Sequence, residues 1–142
     1  MDATVAFVVS GWGVLFPLER YTLAKAQGLA SIAKNHETFF HDEQTQIEAT
    51  PALIIERGEK VSLPPALVFQ GTEDEWTTVA LAERFATDYR KAGGTLDLLL
   101  LPGERHTFVN EHPFAPNSIK AVEAVKAFVR KYGAGRDVQS SR

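Results

Sequence analysis

Two side chains in this sequence are of the types that form a general-base pair, Asp74 and His106, and 32 positions separate them. Each stands a few residues beyond an apolar run. Ala66-Leu67-Val68-Phe69 leads into Gln70-Gly71-Thr72-Glu73-Asp74, and Leu98-Leu99-Leu100-Leu101 breaks at Pro102-Gly103 before reaching His106. A carboxylate that accepts a hydrogen bond from one imidazole nitrogen fixes the tautomer and leaves the other nitrogen to take a proton. Such a pair can activate a hydroxyl nucleophile. On spacing alone a plainer reading stands beside it: an Asp just before a helix is commonly a turn former or an N-cap, and a loop histidine is commonly solvated.

The elements that must position the pair are legible around it. Val5–Val9, Ala66–Phe69 and Leu96–Leu101 read as strands, and none alternates with polar residues. That pattern predicts burial on both faces, as in a parallel sheet. After Asp74, the stripe Val79, Ala82, Phe85, Ala86, Tyr89, Ala92 is helical and stops at Gly93-Gly94. A second stripe, Ile119, Val122, Val125, Phe128, Val129, Tyr132, predicts a helix over 118–132, with Asn117 or Ser118 as N-cap and Gly133 as its end. Strand, helix and strand between 66 and 101 make a βαβ unit whose crossover should be right-handed. Residues 11–64 form a long, lid-like helical excursion, with a short helix opened by Thr50-Pro51 and running to about Arg57. The Gly/Ser/charge-rich stretch 134–142 reads as a disordered tail. The expectation is a single α/β domain over 1–142, three parallel strands with flanking helices. In such sheets function gathers at the carboxyl ends of the strands, where Asp74 and His106 both fall.

Composition closes off other classes. A length of 142 residues suffices for one domain with its own core, and 44% hydrophobic with 23% charged residues is ordinary for a globular protein. A net charge of −3 without a basic stripe argues against nucleic acid as a partner. The absence of cysteine excludes disulfides, thiolate metal sites and a Cys nucleophile. Met1–Thr4 has no positively charged segment, and Val5–Val9 is too short for a signal peptide or a membrane span, so no membrane partner and a cytoplasmic location are expected. His36 and His41, with Glu37, Asp42 and Glu43, lack the spacing of a helical zinc motif and read as a solvated loop or lid surface. His112, before Pro113, reads as a turn. No metal and no cofactor are expected.

The segment Leu63-Pro64-Pro65-Ala66-Leu67-Val68-Phe69-Gln70-Gly71-Thr72-Glu73-Asp74-Glu75 resembles the Pro-Pro, strand, Gly-x-x-Asp segment of the α/β-hydrolase superfamily. Leu101-Pro102-Gly103-Glu104-Arg105-His106-Thr107-Phe108 resembles its Pro-Gly-x-x-His-x-Phe segment, and Gly13–Tyr21 and Ala49-Thr50-Pro51 look like connecting segments of the same enzymes. The likeness is to the C-terminal half of acetyl-esterase and lipase-like carboxylesterases. It implies a partial α/β-hydrolase fold, with Asp74 and His106 as the acid and base of a Ser-Asp-His triad and a small-molecule ester as substrate.

One member of that triad is missing from the pattern. The superfamily carries its nucleophile in a Gly-x-Ser-x-Gly elbow before the segment seen here. The nearest imitation, Val8-Val9-Ser10-Gly11-Trp12, has Val8 and Trp12 where glycines are needed, so Ser10 is read as a strand end whose loop lines the pocket. Trp12, Phe16 and Trp76 flank the strand ends and are candidate walls of an acyl or alcohol pocket, though aromatic residues there also simply close cores. Taken alone the chain is expected to be inactive. The alternative is a non-catalytic module, or a subunit that pairs through an open sheet edge with another copy or with a chain supplying the other half. Lactone, amide, peptide and carbon–halogen cleavage remain open as related chemistries.

Overall fold

The computed structural model describes residues 5–133; the stretch 134–142, read above as a tail, lies outside them, as do the first four residues. Three parallel strands, β1 (Val8–Gly11), β2 (Ala66–Gly71) and β3 (Leu96–Leu101), form one sheet in the order β1-β2-β3. Ala66 aligns with Val8 on one side and Leu96 on the other, and Gly71 aligns with Leu101. The centre strand is buried at every position. The edge strands are not: Val8 is 41% exposed and Asp97 faces solvent. Burial on both faces was the expectation for all three strands, and it holds for β2 alone, because in a three-stranded sheet only the middle strand has neighbours on both sides. The first strand also differs from its apolar run. It starts at Val8 and ends at Gly11, three residues later than Val5, because its hydrogen-bonding partner in β2 begins at Ala66.

Helices cover both faces. Four of them, α1 (Pro17–Ala26), α2 (Ala30–Phe40), α3 (Glu43–Glu48) and α4 (Pro51–Glu56), fill the connection from β1 to β2. The crossover from β2 to β3 is α5 (Val79–Lys91), and α6 (Phe108–Glu111) and α7 (Pro116–Gly133) follow β3. On one side Ala66, Val68 and Leu96 pack with Phe85, Ala86 and Tyr89 of α5, Ala52 of α4 and Phe16. On the other, Phe69 and Leu101 pack with Phe108 of α6 and Ala121 of α7. Alternate residues of β2 therefore serve opposite cores, which is why the strand shows no polar alternation.

Local chemistry sets the ends of α5. Gly93 adopts φ +93°, and the Gly94 N–H donates to the Tyr89 carbonyl at 3.0 Å, closing the helix where the Gly-Gly pair stands. Arg90 reaches on to the Leu96 carbonyl through Nε (3.0 Å) and Nη2 (2.8 Å), which ties the helix end to the start of β3. α7 begins at Pro116, earlier than the expected Asn117 or Ser118 cap, since proline is pre-shaped for the first helical turn. Asn117 is thereby released for another task described below. Among the described residues no helix is long and apolar enough to cross a membrane.

Phe85 is 6% exposed and joins α5 to the sheet. Phe85→Ala is expected to destabilise the fold by about 3 kcal/mol, the lower end for such truncations because the ring borders an open cavity. Urea denaturation of the two proteins measures it.

Candidate active site

Two loops leave the carboxyl ends of adjacent strands and meet. The first, 72–78, carries Asp74; the second, 102–107, carries His106. Their backbones are bonded directly: Thr72 N–H donates to the Leu101 carbonyl at 3.0 Å and Glu73 N–H to the Glu104 carbonyl at 2.9 Å. Gly103 N–H donates to Thr72 Oγ1 at 2.9 Å. Gly71 has to be a glycine here, for a Cβ would lie 2.3 Å from the Glu104 carbonyl oxygen. From the side, Asn117 of α7 donates through Nδ2 to the Pro102 carbonyl (3.1 Å) and to Glu104 Oε1 (2.9 Å). The helix that follows thus holds the histidine loop from behind.

Within this frame His106 Nδ1 donates to Asp74 Oδ2 at 2.8 Å. That bond assigns the Nδ1–H tautomer and leaves Nε2 as the acceptor. Asp74's side chain is fully buried and His106's is 14% exposed. The carboxylate is surrounded by donors. Oδ2 also accepts from Gln70 Nε2 (2.8 Å) and Thr77 Oγ1 (2.8 Å), while Oδ1 accepts from the backbone N–H groups of Trp76 (2.8 Å) and Thr77 (2.9 Å). Burial pushes the Asp74 pKa up, but the hydrogen bonds from His106, the Thr77 and Trp76 amides and the Thr77 hydroxyl outweigh it and hold the group at about 2. Asp74 serves two contacts at once. It shapes the turn through Oδ1 and orients the imidazole through Oδ2, while Thr78 takes the N-cap position of α5.

Gln70 and Thr77 were not singled out in the sequence. Gln70 carries a signal in retrospect, a polar side chain inside a run of apolar residues, and it is 1% exposed. Thr77 carries none. The backbone after His106 is special as well: Thr107 adopts φ +61°, unusual for a β-branched residue, and leads at once into α6.

The three candidate pocket aromatics have separate fates. Trp76 lies with its ring centroid 4.7 Å from that of His106, and Trp12 approaches the same imidazole edge-on at 6.4 Å. Trp12 also packs on Phe69 (5.5 Å) and Phe108 (5.7 Å), so it closes the lower core while bordering the histidine. Phe16 is 1% exposed and sits in the α5-side core with Arg84 over its ring. Beside His106, a cleft of about 200 Å³ is lined by Glu75, Trp76, Arg105, Thr107 and Glu111. Ser10 is on β1, lining a different, apolar cavity on the α5 side, with its Oγ so near Gly13 that a Cβ there would be 2.0 Å from it.

The stretch around His36 and His41 is a correction to the sequence reading. It is helical, and His36 is 4% exposed, stacked on Phe40 and bonded to Arg20. The rings of Phe40 and Tyr21 and the cation of α1 enclose it. His41 closes α2 and Asp42 caps α3, its Oδ1 accepting from Thr45 N–H at 2.7 Å. Among the described residues no group of three or more His, Asp or Glu side chains is placed to hold a metal ion. His112 ends α6.

No family model matches this sequence, and no curated protein does. Solved structures do. Acylaminoacyl peptidase from Pyrococcus horikoshii superposes on 93% of this chain at a TM-score of 0.70 and 12% identity. This chain has a partial α/β-hydrolase fold. A thermophilic esterase from the planctomycete Thermogutta terrifontis matches 70% of it at a TM-score of 0.53 and 21% identity. The same esterase phosphorylated by paraoxon is 28% identical over 59% of the chain at a TM-score of 0.50. The chain spans between 20% and 37% of the lengths of the α/β-hydrolase structures it matches.

The low pKa of Asp74 has a stability consequence. A carboxylate depressed from 3.8 to about 2 contributes stability above pH 4 on the order of 2 kcal/mol, which is lost as pH falls through about 2. Asp74→Asn is therefore expected to be less stable than the natural chain at pH 7, with the gap narrowing between pH 4 and pH 2. Denaturation midpoints across that range test it.

Proposed function

We propose that this chain supplies the acid and general base of a carboxylic ester hydrolase, with the nucleophilic serine contributed from outside residues 1–142. The observation that carries the proposal is the 2.8 Å bond from His106 Nδ1 to a buried, ionised Asp74, which leaves Nε2 as the ring's proton acceptor beside a cleft. In the reaction, Nε2 takes the serine hydroxyl proton as the oxygen attacks the ester carbonyl. Collapse of the tetrahedral intermediate expels the alcohol, which receives the proton back from His106. Water, deprotonated by the same Nε2, then releases the acid and regenerates the serine. Asp74 holds the tautomer and stabilises the imidazolium throughout. Trp76 and Trp12 flank the imidazole and would border the substrate's leaving group. The sequence identity, higher to the esterase than to the peptidase, supports an ester over an amide as the substrate class, although the peptidase superposes over more of the chain.

A specific feature supports a complementing segment. Val8 is exposed along the outer edge of β1, and next to it opens an apolar cavity of about 560 Å³ lined by Val5, Leu15, Ile54, Val61 and Phe85 among others. An unpaired parallel edge beside an apolar hollow suits a further strand followed by a helix, which is the local form of a nucleophile elbow. Whether that segment precedes residue 1 in the same polypeptide or belongs to a separate chain, it would extend the same sheet.

The folded 142-residue chain is expected to give no adduct with a fluorophosphonate probe in intact-mass analysis. Joined to a segment bearing Gly-x-Ser-x-Gly encoded upstream of Met1 or in a neighbouring frame, it should hydrolyse short-chain p-nitrophenyl esters. His106→Ala should then lower kcat by at least about 10³-fold. A stoichiometric adduct on the chain alone would move the nucleophile to Ser10 and overturn the reading, as would full activity in His106→Ala.

A further inference from the structure

A second polar feature lies close to the dyad, on elements the proposed chemistry does not use. Arg20 projects from α1, and its Nη1 is 3.0 Å from His36 Nε2 on α2. An arginine stays protonated, so it donates and the imidazole accepts. Burial and the charge of Arg20 both push the His36 pKa down, against a weaker pull from Gln46. The guanidinium is thus held by a neutral partner. Its Nε is buried without any partner.

Three other arginines are held by carboxylates, and Arg90 by the Leu96 carbonyl. Arg57 pairs with Glu59, Arg84 with Glu56 and Glu19, and Arg105 with Glu75. Among the described residues Arg20 has no carboxylate within ion-pair distance. Glu19 reaches Arg84 at 3.6 Å through Oε1, its Oε2 being buried without a partner, while Glu37 accepts from the Tyr21 hydroxyl at 2.7 Å, Glu75 pairs with Arg105, and Asp74 is held by the donors already described. Burial lowers the Arg20 pKa, and Asp74 opposes that only in part through space. A half-buried cation without a counter-ion is costly unless a ligand supplies one.

A space for such a ligand is present. A cavity of about 460 Å³ is lined by Arg20, Asn35 and His36 on its polar side and by Val14, Phe39 and Phe40 on its apolar side. It is not remote from the chemistry. The guanidinium carbon lies 5.9 Å from the Trp76 ring centroid, and that ring lies 4.7 Å from His106.

We propose that Arg20, backed by His36, is a specificity-determining residue that binds a free carboxylate carried by the substrate, with the carbon skeleton against Val14, Phe39 and Phe40. The preferred ester would then be anionic, such as a monoester of a dicarboxylic acid. The planar fork of Arg20 matches a carboxylate, and the neutral His36 orients the fork without competing for it. This rests on reading Asp74–His106 as a hydrolase dyad, but its test reads binding and not turnover.

The probe is 3-phenylpropionate, titrated by calorimetry into the folded chain and compared with 3-phenylpropionamide, which has the same skeleton and no charge. The acid should bind at least about tenfold more tightly than the amide, and Arg20→Gln should lose that preference while Arg20→Lys keeps part of it. Binding should persist in His106→Ala, whatever the outcome of the esterase assays. The proposal is overturned if acid and amide bind alike to the natural chain, or if the folded chain binds neither. Loss of binding in His106→Ala would place the carboxylate on the dyad instead. Inorganic phosphate binding as tightly as the acid would remove the carboxylate assignment. The acid–amide comparison uses the natural chain, so a variant that fails to fold does not decide it.

Discussion

The backbone of Gly71 lies against the carbonyl of Glu104, at a distance that leaves no room for a side chain. Everything at the site depends on that approach. β2 and β3 pair in register up to Gly71 and Leu101, so their ends are level. Two loops leaving level ends can collide or bond, and here they bond through the Thr72 and Glu73 amides. The outcome is that Asp74 and His106, far apart in sequence, are fixed by backbone hydrogen bonds instead of by their own attraction. A dyad positioned in this way does not have to be ordered by each substrate, which is where much of the advantage of a catalytic pair lies.

The electrostatics follow from the same frame. Removing a carboxylate from water would ordinarily favour its neutral form. Asp74 remains ionised because all of its neighbours donate: two amides of its own loop, the Thr77 hydroxyl, the Gln70 amide and the imidazole. Two of these are backbone groups with no freedom to turn away, and Gln70 extends from the buried centre strand. The arrangement keeps a negative charge at the back of His106 in every protonation state of the ring. That is what a general base needs if it is to hold a proton briefly and then return it.

Much of this was legible in the sequence, for a physical reason. β2, β3 and α5 are built from long apolar patterns with clear stops at Gly-Gly and Pro-Gly, and those patterns specify which loop each polar residue falls on. The same logic failed for β1. Its apolar run begins at Val5, but a strand exists only where a neighbour supplies hydrogen bonds, and that neighbour, which pairs Val8 with Ala66, lies far along the chain. His36 was misjudged because surrounding acidic residues suggested solvent, whereas the helix turns those acids outward and the imidazole inward. Gln70 was passed over because a single polar residue in a strand run gives no hint of what lies opposite. The role of Asn117 depended on where α7 begins, and a helix start shifts easily by a turn when proline stands near it.

The β-sheet edge and the pair of Arg20 with His36 share one property: each leaves polar or apolar groups unmatched within the described residues. Around the dyad, by contrast, every oxygen of the buried Asp74 carboxylate meets donors, and Arg57, Arg84 and Arg105 meet carboxylates. Against that background, unmatched groups are informative because folding gains nothing from them. The outer edge of β1 presents backbone groups and apolar side chains together, the requirements of another strand with its helix. Arg20 presents a charged fork beside aromatic walls, the requirements of a small anion with a hydrocarbon body. The two lie on either side of α1 and α4, since Leu15 and Pro51 border the first cavity while Val14, Pro17 and Pro51 border the second. Pro51 touches both. α4 is therefore a wall common to the cavity at the sheet edge and the cavity at Arg20.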